Sequence, residues 1–231
     1  VIVAFDLDDT LYPERTFVES GFRAVARELH ARWGVSADEA LDVMLGSLDG
    51  SGRGRQFDDV VEHFGLTGRQ SVRRLIDAYR HHAPEIALPP QSRAAIEALA
   101  PRPIYIVTDG HKLVQQRKVE ALGLPRLVRK AYITHRYGIR HRKPSPRVFE
   151  LIARRESADL AEIVYVGDDA TKDFRGIRPL GARTIRVRTG RHAEVEVPAD
   201  EDAEVSVAGI AEVPAVVADF ERGTYDPGRS E

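Results

Sequence analysis

Residues 1–14 read VIVAFDLDDTLYPE: five apolar residues, then three carboxylates, Asp6, Asp8 and Asp9, within four positions. A run so short and rich in β-branched side chains reads as a strand. Like charges this close repel one another, so something delivered to the same place has to offset them. Similar runs recur at Ile104–Val107, Ala131–Thr134, Ile163–Val166 and Thr184–Val187, most of them bounded by Gly, Asp or Pro. Helical stretches are expected between them at Gln91–Leu99, Leu113–Leu122, Pro146–Arg154 and Thr171–Leu180. This alternation predicts an α/β fold, a Rossmann-like parallel sheet with helices on both faces.

The rhythm breaks after the first strand. From Pro13 to Pro89 the pattern is helical, with Phe17, Phe22, Val25, Leu29 and Trp33 on one stripe and a capping box at Ser36-Ala-Asp-Glu39. An inserted all-helical cap is the reading. Within it, GSLDGSGRGRQ (Gly46–Gln56) is expected to be an irregular, mobile loop, because its glycines are poor helix formers. After Val187 the chain turns acidic, and AEVSVAGIAEVPAVVADF (Ala203–Phe220) suggests a short edge strand and a last helix. The expected boundaries are a core of residues 1–13 and 90–221, a cap of 14–89 and a polar tail of 222–231.

A chain of 231 residues has room for one such core with a small second domain. The net charge of −2, with both signs mixed, gives no field for nucleic acid or an anionic membrane, so neither is an expected partner. The absence of cysteine excludes disulfides, thiolate nucleophiles and cysteine-ligated zinc, and fits a reducing compartment, with the cytoplasm as the expected one. No window approaches the roughly 18 continuous apolar residues of a membrane span, and the opening aspartates do not read as a signal peptide.

In an open parallel sheet the carboxyl ends of the strands line the ligand crevice. The chain delivers there Asp6, Asp8 and Thr10, then Thr108-Asp109-Gly110, then Lys143 in RHRKPSP, and finally Gly167-Asp168-Asp169 with Asp173. Acids from two strand ends, one lysine and a hydroxyl therefore converge on one edge.

These stretches, DLDDT (6–10), TDG (108–110), GIRHRKPSP with Lys143, and GDDATKD (167–173), resemble in order the four motifs of the haloacid dehalogenase-like hydrolases. The branch they resemble is that of phosphatases with a helical cap of the C1 type. The resemblance implies a Mg²⁺-dependent phosphomonoester hydrolase working through an aspartyl-phosphate. Asp6 would be the nucleophile and Asp8 the acid and base, while Thr108, Asp109, Gly110 and Lys143 would bind the phosphoryl group. The metal would be held by Asp6, the Asp8 carbonyl, Asp168 and Asp173, with Asp169 ranked below the last two. Oxygen-rich ligands from two loops are what Mg²⁺ prefers, and the metal would offset the crowded carboxylates. A sugar phosphate or a nucleotide is the substrate class this implies, and the cap would close over the phosphate site. Many relatives carry Asn where this chain has Asp109, whose carboxylate is expected to turn away from a phosphate dianion, toward His111. Asp8 argues against a dehalogenase. A sugar phosphomutase of the same superfamily, or a non-catalytic binding protein on this fold, is the alternative. Asp9 is expected to be a turn residue, the cap histidines 30, 63, 81 and 82 to pack or face solvent, and Arg53 and Arg55 to be candidates for contact with the rest of a substrate.

Overall fold

The structure is a computed structural model and describes residues 1–66 and 69–225, the side chains of Arg69 and Gln70 aside. Residues 226–231 of the expected polar tail lie outside the described residues. The chain divides into two compact units, one formed by Val1–Glu14 with everything from Ala87 onward, the other by Arg15–Ile86.

The first unit is built on six strands: β1 (Ile2–Phe5), β2 (Ile104–Thr108), β3 (Lys130–Ile133), β4 (Ile163–Gly167), β5 (Arg183–Val187) and β6 (Val205–Val207). They lie in the order β3-β2-β1-β4-β5-β6, every pair parallel. β1 is central, its Ile2–Phe5 in register with Ile163–Val166 of β4 on one side and its Val3–Phe5 with Ile104–Ile106 of β2 on the other. All four of its residues are buried, as a strand covered on both faces requires. One face carries Ile2, Ala4, Tyr105, Val107 and Tyr165, which pack with Val148, Phe149 and Ile152 of α7 (Arg147–Glu156) and with Phe174 and Ile177. The alternate residues Val3, Phe5, Ile106, Val164 and Val166 are equally buried. Each fully buried Val, Ile or Phe contributes about 1.5–3 kcal/mol. The other helices of this unit are α5 (Pro90–Ala98), α6 (Lys112–Ala121) and α8 (Val213–Arg222).

The chain adds β2 and β3 on one side of β1 and then returns to add β4 on the other, so the order reverses between β1 and β4. Such a switch point opens a crevice outside the carboxyl ends of the two strands.

The second unit begins in α1 (Glu14–Trp33) and continues through α2 (Ala37–Ser51), α3 (Gln56–His63) and α4 (Arg69–His81). Its core is formed by Val18, Phe22, Val25, Leu29, Ala40, Met44, Val60 and Leu75. The expected stripe packs inward, with Phe17 meeting the Tyr79 ring edge-on at 5.7 Å and Trp33 against the cluster.

Two expectations need correction. The glycine-rich stretch is not an irregular loop throughout: α2 runs to Ser51 and carries Gly46 and Gly50 inside it, leaving only residues 52–55 before α3. The Ser36 side chain accepts from the Glu39 amide at 3.3 Å, and Ala40 and Met44 are buried, which outweighs a penalty of about 1 kcal/mol per glycine. The second concerns Thr171–Leu180, which is a set of turns closing in a short 3₁₀ helix at Arg178–Leu180. The Asp169 side chain accepts from the Thr171 amide at 3.1 Å, and Pro179 cannot donate to a helical ladder.

Candidate active site

Asp6 is the first residue past β1 and Asp168 the first past β4, so the switch point sets them on neighbouring loops. Together with Asp173 they form a buried cluster in which one ligand oxygen from each lies within 4.8 Å of the others. Thr10 donates to Asp168 Oδ1 at 2.9 Å, fixing that carboxylate from the β1 loop. Gly167 is required here, because a Cβ on it would lie 2.4 Å from Asp173 Oδ2.

Lys143 is the counter-charge. Its Nζ lies 2.8 Å from Asp6 Oδ1 and 2.7 Å from Asp173 Oδ1, and donates to Tyr165 Oη at 2.9 Å. Burial opposes its charge, but Asp173 and Asp6 outweigh that and hold the ammonium well above its ordinary range. Lys143, even with Lys172 also drawing on Asp6, does not offset the burial and mutual repulsion of the carboxylates. Asp6 is raised, first by burial and then by Asp173, against the pull of Lys143. Asp168 is pushed up to about 9 by burial and by the charges of Asp6 and Asp173. A buried set of hard oxygen donors left short of positive charge fits a divalent cation such as Mg²⁺.

The Lys143 loop is held by Asp109. Its Oδ1 accepts from Thr134 Oγ1 at 2.5 Å and from the Lys143 amide at 3.1 Å, so this oxygen is turned to these two groups. Gly176 packs against the same loop so closely that a Cβ there would sit 1.6 Å from the Pro144 carbonyl oxygen.

Asp8 stands apart from the three-carboxylate cluster. Its side chain meets Lys118 Nζ at 2.7 Å, Tyr12 Oη at 2.7 Å and Gln115 Nε2 at 3.1 Å, and burial raises it against the pull of Lys118. Thr108 ends β2 with its hydroxyl donating to Gln115 Oε1 at 3.2 Å. Gly110, at φ +136°, lies directly under the Gln115 side chain, which a Cβ would meet at 2.7 Å.

Asp169 turns away from the cluster, toward Thr171, Lys172 at 2.9 Å and His192 at 3.3 Å. It is held down at about 2: the Thr171 hydrogen bond and the Lys172 charge outweigh its burial. Asp9 adopts φ 57°, and its Oδ1 accepts from the Glu14 amide at 2.8 Å, where α1 begins. In the other unit Arg55 is held by Asp59 at 3.2 Å, His63 by Glu39 at 2.8 Å, and His82 packs on Phe17 with centroids 5.0 Å apart.

Sequence reasoning missed Tyr12, Gln115, Lys118, Thr134 and Tyr165. Gln115 and Lys118 lie one helical turn apart on α6, and only the fold shows them buried, 4 % and 2 % exposed.

The doubly wound parallel sheet thus brings a buried carboxylate–lysine cluster to its switch point. The family model for haloacid dehalogenase-like hydrolases matches residues 2–181, and the chain belongs to that family. It is 29% identical to the glyceraldehyde 3-phosphate phosphatase of Methanopyrus kandleri, over 87% of this chain and 89% of the relative. To the protein of the same name from Methanocaldococcus jannaschii it is 27% identical, over 95% and 98% of the two chains. The crystal structure of a 2-haloacid dehalogenase from Pseudomonas syringae shares the fold, with a TM-score of 0.65 at 23% identity over 95% of this chain and 98% of that one. The chain is a phosphoric monoester hydrolase of this family. None of the helices among the described residues is long and apolar enough to cross a membrane.

Proposed function

We propose that the chain is a Mg²⁺-dependent phosphatase that transfers the phosphoryl group of a small phosphorylated metabolite to Asp6 and then to water. The observation that carries this is the buried Asp6, Asp168 and Asp173 cluster, ion-paired to Lys143 at a sheet switch point. Asp6, Asp168 and Asp173 would hold the metal, with the Asp8 carbonyl beside them. When bound, Mg²⁺ neutralises phosphoryl oxygens and lets a carboxylate approach them.

The protein groups divide the rest of the work. An Asp6 oxygen forms a bond to phosphorus as the bond to the ester oxygen breaks, and the Asp8 carboxyl gives its proton to that departing oxygen. The products of this step are an alcohol and an aspartyl-phosphate. Water then attacks phosphorus, its proton passes to Asp8, and the Asp6–phosphorus bond breaks to give inorganic phosphate and free Asp6. Lys143 steadies the charge on the transferred oxygens, helped by the Thr108 hydroxyl and by backbone N–H groups of Asp109 and Gly110 at the entry to α6. Asp109 serves through its backbone and through its hold on the Lys143 loop.

Phosphorylated three-carbon sugars head the substrate class, since relatives aligned along most of this chain bear the name glyceraldehyde 3-phosphate phosphatase. The test is phosphate release from triose phosphates, larger sugar phosphates, phosphoserine and nucleoside monophosphates, with Mg²⁺ or chelator, beside Asp6→Asn. Release that requires both metal and Asp6 is expected, with triose phosphates preferred. Release unaffected by chelator or by Asp6→Asn refutes the mechanism.

A further inference from the structure

A carboxyl group that protonates a leaving oxygen must present one oxygen to it while the other is kept occupied. Asp8 is built that way. Its Oδ1 accepts from Tyr12 Oη at 2.7 Å and from Lys118 Nζ at 2.7 Å. A carboxylate oxygen offers two lone pairs, so both on Oδ1 are engaged. Oδ2 accepts from Gln115 Nε2 at 3.1 Å and keeps a lone pair for other use. The Asp8 side chain is 17% exposed while that of Lys118 is 2% exposed, so the aspartate side chain reaches solvent and the ammonium paired to it does not.

Lys118 is itself costly to hold. A buried ammonium persists only with partners, and Glu14 supplies the second, its Oε1 3.2 Å from Nζ. Glu14 is the last residue of the first unit before the chain enters the second.

We propose that Lys118 and Tyr12 are positioning residues that saturate Oδ1 of Asp8, so that Oδ2 is the atom that hands the proton to the leaving oxygen and later takes one from water. The assignment rests on the phosphatase reading above, and neither residue touches the substrate in it. When Asp6 attacks phosphorus, the ester P–O bond breaks and the proton on Oδ2 moves to the departing oxygen. When water attacks, its proton returns to Oδ2. Without Lys118 and Tyr12 the carboxyl is free to turn, and either oxygen can face the cleft.

Leaving groups distinguish positioning from support of the fold. An alkyl phosphate needs its leaving oxygen protonated, whereas p-nitrophenolate departs without help, and kcat/KM reports only the steps up to that departure. Lys118→Met is expected to lower kcat/KM for the alkyl ester by roughly 100-fold and to change that for p-nitrophenyl phosphate by no more than roughly 3-fold. Lys118→Met/Glu14→Gln removes the charge left behind and is assayed beside it. Tyr12→Phe, nearly isosteric, keeps the fold and should show the same selectivity with a smaller loss. Equal loss on both esters, or no loss on the alkyl ester in Tyr12→Phe and a folded Lys118 variant, overturns the assignment. If Asp8→Asn shows the selective loss and these variants do not, the assignment falls alone. If the wild-type enzyme hydrolyses neither ester, or does so without Asp6, the phosphatase reading falls and takes the assignment with it.

Discussion

Replacing Lys143 by Met keeps the length of the side chain and deletes the charge that sits 2.8 Å from Asp6 Oδ1 and 2.7 Å from Asp173 Oδ1. The lysine side chain is 1% exposed and the two carboxylates 6% and 0%, so water cannot take its place without opening the site. Removing one partner from a buried ion pair costs about 3–5 kcal/mol, because the other is left uncompensated. In a domain of this size about 1 kcal/mol moves Tm by about 2–4 °C, so in chelator the variant should melt roughly 6–20 °C below the wild type. The charge argument makes a second demand. Without the lysine the Asp6, Asp168 and Asp173 oxygens face no compensating charge of its kind, so a cation gains more by binding, and saturating Mg²⁺ should recover part of the lost Tm. Calorimetry of both proteins, with chelator and with Mg²⁺, measures the two effects. A shift below about 3 °C in chelator would show that the cluster does not depend on Lys143 for its charge balance. A shift as large with Mg²⁺ as without would mean that the methionine harms packing and not electrostatics.

Three further outcomes follow from neighbouring groups. Asp168 stands at about 9 in the folded protein against an ordinary 3.8, so between those values the folded state holds a proton that the unfolded chain has lost. Its contribution to stability is complete below the ordinary value and is lost as pH rises toward 9; Tm in chelator should fall over that window, and Mg²⁺ binding near neutral pH should release about one proton, read by calorimetry in buffers of different ionisation enthalpy. Binding without proton release would contradict this. Gly176→Ala drives a Cβ to 1.6 Å from the Pro144 carbonyl oxygen, so the backbone beside Lys143 must move. It should cost about 1–3 kcal/mol of stability in denaturant melts and up to roughly 100-fold in kcat, and a variant with unchanged kcat would mean that Lys143 is not held by this contact. Asp109→Asn keeps an acceptor for Thr134 and the Lys143 amide, and should leave KM within roughly 2-fold, whereas Asp109→Ala should lower kcat/KM by roughly tenfold or more. A marked fall in KM for Asp109→Asn would show that the carboxylate faces the substrate after all.

Most of the strands were legible because they are short runs rich in β-branched residues, and in a parallel sheet their ends share one edge. That is why Asp6 and Asp168 could be placed on one edge from order, whereas Lys143, well past the end of β3, was singled out by the motif it resembles. The stretch at 171–180 misled because Phe174, Ile177 and Leu180 recur at helical spacing, yet the first two pack inward from successive turns that Asp169 and Gly176 shape. Gly46 and Gly50 misled in the opposite direction: a capped start and two buried residues carried a helix past them. Asp109 could be seen to be awkward beside a phosphate, but Thr134 and the Lys143 amide are distant in sequence, and only the fold brings them to its carboxylate. Lys118 and Gln115 were hidden by their helix, where local pattern says that a face is buried and nothing in it names the carboxylate waiting there.

Every chemical group of the candidate site, from Asp6 to Asp173, is carried by a single one of the chain's two units, although the other is spliced in between Glu14 and Ala87. The ion pairs and hydrogen bonds described above for those groups have both partners within that unit. The sequence of residues 15–86 can therefore change without deleting one of those partners. The groups of the candidate site and the inserted helices are thus separated by two crossings of the backbone, one after Glu14 and one before Ala87.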